Sequence, residues 1–73
     1  MNLKKIFGNN LKYYRKRKGL TQQEIADVTG LNRVYISEVE RGRKNITIDV
    51  METISTKMDI KISKMFEVRE WTD

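Results

Sequence analysis

Seventy-three residues hold one small domain and no second one, and a chain this short buries only about 60% of the surface its unfolded form exposes. It has no Cys and no His, which excludes disulfides, Cys/His zinc sites, thiol nucleophiles and any triad with imidazole as its base. Fifteen basic residues against ten acidic ones give a net charge of +5, and residues 1–20 hold seven of the cations with no acid, so the N-terminal block is either a polyanion-binding surface or a solvated face.

In chain order, hydrophobic periodicity predicts five helices, over roughly 3–18, 22–29, 33–41, 48–58 and 62–67. The first places Leu3, Ile6, Phe7, Leu11 and Tyr14 on one buried face, with Gly8 inside it where only a close-packed neighbour justifies a glycine. Gly19, Gly30 and Gly42 each follow a periodic segment, as left-handed helix ends require. The second helix opens on Thr21-Gln22-Gln23-Glu24, a capping box, with Leu20 and Ile25 spaced as a hydrophobic staple. That spacing recurs around Asn32 (Leu31 with Ile36) and Thr47 (Ile46 with Met51). Ile60 and Met65 repeat it before the fifth helix, although Lys61 is a poor cap. The fourth helix buries Met51, Ile54 and Met58, flanked by Val50. The expected architecture is all-α, with residues 1–67 as the domain and 68–73 as a short tail.

Helices 2 and 3 are separated by little more than Gly30, which forces a tight, steeply crossed pair of the kind that sets one helix into a DNA major groove. On a helical wheel Tyr35, Ile36 and Val39 face the core, while Arg33, Val34, Ser37, Glu38 and Arg41 face outward. Arg33 can pair with guanine O6 and N7, Val34 can meet a thymine methyl, Ser37 suits either base type, and Glu38 can accept from cytosine N4. The wheel alone fits an ordinary solvated face equally well. The capped start of helix 2 suits a phosphate, with Gln22 able to donate a further hydrogen bond. Arg43-Lys44-Asn45 forms a second polar and basic grip beyond Gly42.

The stretch GLTQQEIADVTGLNRVYISEVERG, residues 19–42, resembles the helix-turn-helix core of phage repressor and Cro proteins of the xenobiotic-response-element type. FGNNLKYYRKRKG is similar to that family's first helix and ITIDVMETISTKMDI to its fourth, so the resemblance implies a five-helix, lambda-repressor-like fold over residues 6–66. RVYISEVERGRKNITI followed by MDIKISKMF resembles the controller proteins of restriction-modification systems, with one extra residue between Arg43 and Asn45 and with Ile46 where many relatives have proline. The resemblance assigns base reading to Arg33, Val34, Ser37 and Glu38. It assigns a phosphate contact to Gln22 and sets Tyr35 near DNA, against the wheel. The full backbone-contact set is Gln22, Asn32, Tyr35, Arg43, Lys44 and Asn45. Arg15 and Glu40 match a partly buried ion pair joining helix 1 to helix 3.

The resemblance also implies a homodimer on a pseudo-palindromic double-stranded DNA operator, which activates through RNA polymerase at low occupancy and represses when a second dimer loads. One module reads only a few base pairs, so two half-sites about 34 Å apart are needed for useful specificity. Ile62, Met65, Phe66, Val68 and Trp71 are the expected dimer surface, although Trp71 reads equally well as part of a frayed tail. A generic phage- or plasmid-type repressor is the second reading. A membrane-surface or partner-helix binder using Tyr13 and Tyr14 among the helix-1 cations is the third. No cofactor, metal or catalytic group is expected. No apolar run approaches the roughly 18 residues of a membrane span, and the expected location is cytoplasmic, on the nucleoid.

Overall fold

Every α-helix among the described residues begins at a side chain placed to accept one of its first free amides. In the computed structural model, which describes residues 2–69, Asn2 caps α1 (Leu3–Arg17). Thr21 caps α2 (Gln22–Thr29) in the expected two-way box: Glu24 N–H donates to its hydroxyl at 3.0 Å, and Thr21 N–H donates to the Glu24 carboxylate at 2.8 Å. Asn32 caps α3 (Arg33–Glu40) and Thr47 caps α4 (Ile48–Lys57). The staple residues Leu20, Leu31, Ile46 and Ile60 are each partly buried against the core.

Three helices end in one hydrogen-bond pattern. Leu20 N–H donates to Arg15 O, Arg43 N–H to Glu38 O and Ile60 N–H to Ser55 O, each at 2.9–3.0 Å across a left-handed residue. Gly19 and Gly42 supply that conformation for α1 and α3, and Asp59, at φ 56°, supplies it for α4.

The fifth predicted helix is not an α-helix. Residues Ile62–Phe66 form a 3-10 turn with no side-chain cap, so four α-helices and one short turn make up the described fold. Five residues behind an uncapping Lys61 make too few bonds to offset helix nucleation, and packing from elsewhere holds the segment. Leu3 also differs from expectation: it is more than half exposed, because α1 has only just begun to meet its neighbours there.

α1 packs across α3 and the 3-10 turn, while α2 packs on α3 and α4. Phe7, Leu11, Ile25, Ala26, Ile36, Val39, Ile54, Met58 and Met65 fill the centre. Gly8 makes the α1–α3 crossing possible: a Cβ there would collide with the Val39 carbonyl oxygen and lie 3.1 Å from the Glu40 carbonyl carbon. The two backbones touch at that point, which rigidly relates α1 to the helix that follows the turn.

Candidate nucleic-acid interface

The turn between α2 and α3 is closed by its own residues. The Thr29 hydroxyl donates to Ile25 O at 2.7 Å and accepts Leu31 N–H at 3.3 Å. Gly30 follows at φ 75°, and Asn32 then accepts Val34 N–H at 2.7 Å to start α3. With Ile36 and Val39 fully buried, the opposite face of α3 is turned outward. Arg33 is exposed, Val34 is 59% exposed, and Ser37 and Glu38 are half-buried. The sequence-predicted base-reading residues therefore lie on one accessible face, and a β-branched apolar side chain is left in water among three polar ones.

Tyr35 sits where the wheel places it, toward the core, and its ring also meets the basic loop. It is half-buried and packs against the core, while the Lys44 ammonium lies 5.8 Å from its ring centroid. The basic loop is thus held to α3 at two places, the second being the Arg43–Glu38 pair at 3.7 Å. Asn45, the loop's third polar residue, accepts from Lys4 Nζ at 3.2 Å. Asn32 commits its side-chain oxygen to capping and keeps its amide protons to donate.

Arg15 and Glu40 form the expected ion pair. Arg15 Nε and Nη2 donate to the two Glu40 oxygens at 2.6 and 3.1 Å, and Arg15 Nη1 donates to Leu20 O at 2.9 Å. The side chains are 11% and 3% exposed. Gln22 joins this network by donating to Glu40 Oε1 at 3.0 Å. One amide proton of Gln22 is so engaged, and the other remains to donate at the start of α2.

The expected dimer surface divides. Ile62 and Val68 are exposed, and Phe66 is half-buried with its ring 5.6 Å from that of Phe7. Met65 is a correction: it is fully buried in the core and offers nothing to a partner, because the 3-10 turn rotates it inward against α1 and α4. Trp71 lies outside the described residues.

Sequence reasoning missed Asn10 and Arg69. Asn10 is fully buried, and its Nδ2 lies 2.9 Å from Ile6 O and Met65 O and 2.8 Å from Glu67 O. Its Oδ1 accepts from Arg69 Nε at 2.6 Å. The Arg69 guanidinium also reaches the Tyr14 hydroxyl at 3.1 Å and lies 4.2 Å from the Tyr13 ring centroid. One signal was present: position 10 falls on the Phe7, Leu11, Tyr14 stripe, where a polar residue must be buried. Because Arg69 covers both tyrosines, the helix-1 aromatics are not free to enter a headgroup layer. Among the described residues no helix is long and apolar enough to cross a membrane, and no group of three or more carboxylates could hold a metal ion.

A family model described as helix-turn-helix matches residues 11–65. Control protein C.MunI from a Mycoplasma species is 38% identical over 66 residues, covering 89% of each chain. The crystal structure of the restriction-modification controller protein C.AhdI from Aeromonas hydrophila is similar at a TM-score of 0.82 and 35% identity, covering 86% of this chain and 96% of that one. The structure of SinR, a master regulator for biofilm formation, in complex with DNA is similar at a TM-score of 0.77 and 31% identity, covering 84% of this chain and 98% of that one.

Proposed function

The chain belongs to the helix-turn-helix family of DNA-binding transcription regulators, and from that membership we propose that it works as a homodimer on a pseudo-palindromic operator, as a restriction-modification controller. The observation that carries sequence-specific binding is the outward face of α3, where Arg33, Val34, Ser37 and Glu38 stand on a helix fixed at both ends. α3 enters the major groove with these four side chains at the base edges. Gln22 and Asn32 donate to phosphates beside it, and the Arg43-Lys44-Asn45 loop takes the next stretch of backbone. Phosphate contacts hold the register and base contacts read it.

The controller role is supported by the likeness to C.MunI and C.AhdI along nearly the whole chain and by the Arg43-Lys44-Asn45-Ile46-Thr47 segment. As a controller, the dimer activates its own and an endonuclease promoter at low occupancy, through contact with RNA polymerase, and represses when a second dimer loads. Exposed Ile62 and Val68, on one end of the molecule with Phe66 behind them, are the surface on which two copies meet. Selection of bound duplexes from a random library tests the reading directly: an inverted repeat is the expected product, and recovery of no common sequence overturns it. Arg33→Ala should then lose about 1–3 kcal/mol of discrimination at a single guanine. A uniform loss over all sequences would remove Arg33 from the base-reading set.

A further inference from the structure

We infer that the first turn of α1 belongs to the DNA-backbone interface, with Lys4 and Asn45 together gripping one phosphate beyond those reached by α2 and α3. This rests on the reading of the chain as a DNA binder, and it extends that surface to an element 41 residues away in sequence. Lys4 Nζ donates to Asn45 Oδ1 at 3.2 Å, and both residues are exposed. The bond uses the oxygen of the Asn45 amide and leaves its two N–H donors for an acceptor. It also uses only one of the three protons on the Lys4 ammonium. The pair therefore presents up to four N–H donors and a full positive charge on the flank of the basic loop, and a phosphate takes such donors without needing any partner proton.

Charge accounting supports the same assignment. Arg43 is paired with Glu38, and Lys64 and Arg69 with Glu67. Lys4 and Lys5 meet no carboxylate among the described residues, so the cations at this corner are uncompensated. They are not there for the helix, because α1 has no acidic residue in its first turn and positive charge at that end opposes the helix dipole. The corner is also built to a fixed geometry. Gly42 is left-handed at φ 72°, and a Cβ on it would lie 2.6 Å from Lys5 Cγ and 3.0 Å from Lys5 Cα. The stem and backbone of Lys5 are thus seated on the turn that launches the Arg43-Lys44-Asn45 loop. Lys5 positions that loop, and Lys4 shares its ligand.

The test is the salt dependence of binding to the selected inverted repeat, measured with the full chain as wild type, Lys4→Gln, Lys4→Arg and Lys57→Gln. Lys57 lies in the last turn of α4, so its variant carries the same charge change at a different place. Lys4→Gln should lower the slope of log affinity against log salt by about 1.8 per dimer, the release expected for two phosphate contacts, one from each protomer, at about 0.9 apiece. Its affinity should fall by the same factor on the repeat and on a scrambled duplex. Lys4→Arg should keep the wild-type slope, and Lys57→Gln should leave it nearly unchanged. A weaker Lys4→Gln protein with an unchanged slope would make Lys4 a brace for Asn45 only and overturn the contact. An unchanged affinity, or an equal flattening by Lys57→Gln, would overturn it as well. If wild type itself fails to prefer the repeat, the reading of the chain as a specific DNA binder falls, whereas a preference that survives in Lys4→Gln with no slope change sinks only this inference.

Discussion

The α2–α3 unit and the C-terminal segment that follows α4 are held together in opposite ways. Residues 21–42 close their own ends: Thr21 with Glu24, Thr29 with Ile25 and Leu31, and Asn32 with Val34 are all contacts between near neighbours in sequence. The segment from Ile62 to Arg69 has no side-chain cap and no α-helical turn. It is fastened by Asn10 and Tyr14, 55–59 residues away, and by Phe66 against Phe7. A unit that carries its own caps keeps its shape when its surroundings loosen, which suits the part proposed to meet DNA. A segment whose buried fastenings all come from a distance, with only the more exposed pairs of Lys64 and Arg69 to Glu67 of its own, keeps its shape only while α1 stays docked. Local closure belongs to the unit proposed to read DNA, and remote closure belongs to the end where two copies are proposed to meet.

The sharpest way to break this contrast is at the join between α1 and the reading unit. Arg15→Met leaves Glu40 nearly buried with only Gln22 beside it, and should cost about 3–5 kcal/mol in urea unfolding. That is a large share of what a domain of this size has to lose. Arg15→Met combined with Glu40→Leu should recover most of the loss, since removing both charges avoids an uncompensated one. A double variant as unstable as the single one would show that the pair is needed for packing rather than for charge balance.

Asn10→Ala comes next. It leaves the carbonyls of Met65 and Glu67 without their donor and releases Arg69, at a cost of about 2–3 kcal/mol. Hydrogen exchange distinguishes the two regions in this variant. Amides of residues 62–69 should lose protection first, while those of α2 and α3 open only with the whole molecule. Equal loss in both regions would mean that the C-terminal segment and the reading unit form one cooperative body.

The same contrast governs what is legible in the sequence. Thr21, Asn32, Thr47 and the three turn glycines are legible because a cap or a left-handed residue acts within four positions of itself, so its spacing is its evidence. Arg33, Val34, Ser37 and Glu38 are legible as a face because the period of a helix carries them outward together. Asn10 with Arg69, and Lys4 with Asn45, are not legible, since no spacing rule links residues 59 or 41 positions apart. Met65 is misplaced for another reason: it groups with Ile62, Phe66, Val68 and Trp71 as more apolar area than so short a chain is expected to absorb, yet the core takes it in fully, as its staple spacing from Ile60 allows. Arg15 and Glu40 are the exception, placed correctly across 25 residues because a resemblance supplied what periodicity lacks.

Removing one local device should cost less than removing a remote one. Thr21→Ala deletes the oxygen that accepts Glu24 N–H and should destabilise the protein by about 1 kcal/mol, with Thr21→Ser restoring nearly all of it. Binding to a selected duplex should weaken in step, because α2 and Gln22 begin at that cap. A stability loss as large as that of Asn10→Ala would show that the α2 cap supports more than its own helix.

The smallest effect is a gain, and it asks whether α4, which lies between the two regions, ends by the rule of the reading unit. α1 and α3 close through glycine, whereas α4 closes through Asp59 at φ 56° with the same pair of backbone bonds: Asp59 N–H to Thr56 O at 3.1 Å and Ile60 N–H to Ser55 O at 2.9 Å. An L-residue in that conformation crowds its Cβ against the following carbonyl, and aspartate tolerates this better than most but not freely. Asp59→Gly removes the crowding and retains both bonds, while freeing the unfolded chain somewhat, so the net gain should be only about 0.5 kcal/mol. Asp59→Ala keeps the Cβ and discards the side chain that eases the turn, and it should lose about 1 kcal/mol instead. Opposite signs for these two substitutions, read as shifts in the urea midpoint at constant slope, would show that the backbone alone closes α4. A loss in both would mean that the Asp59 carboxylate itself holds the entry to the 3-10 turn, and the C-terminal segment would then carry a local fastening at its start as well.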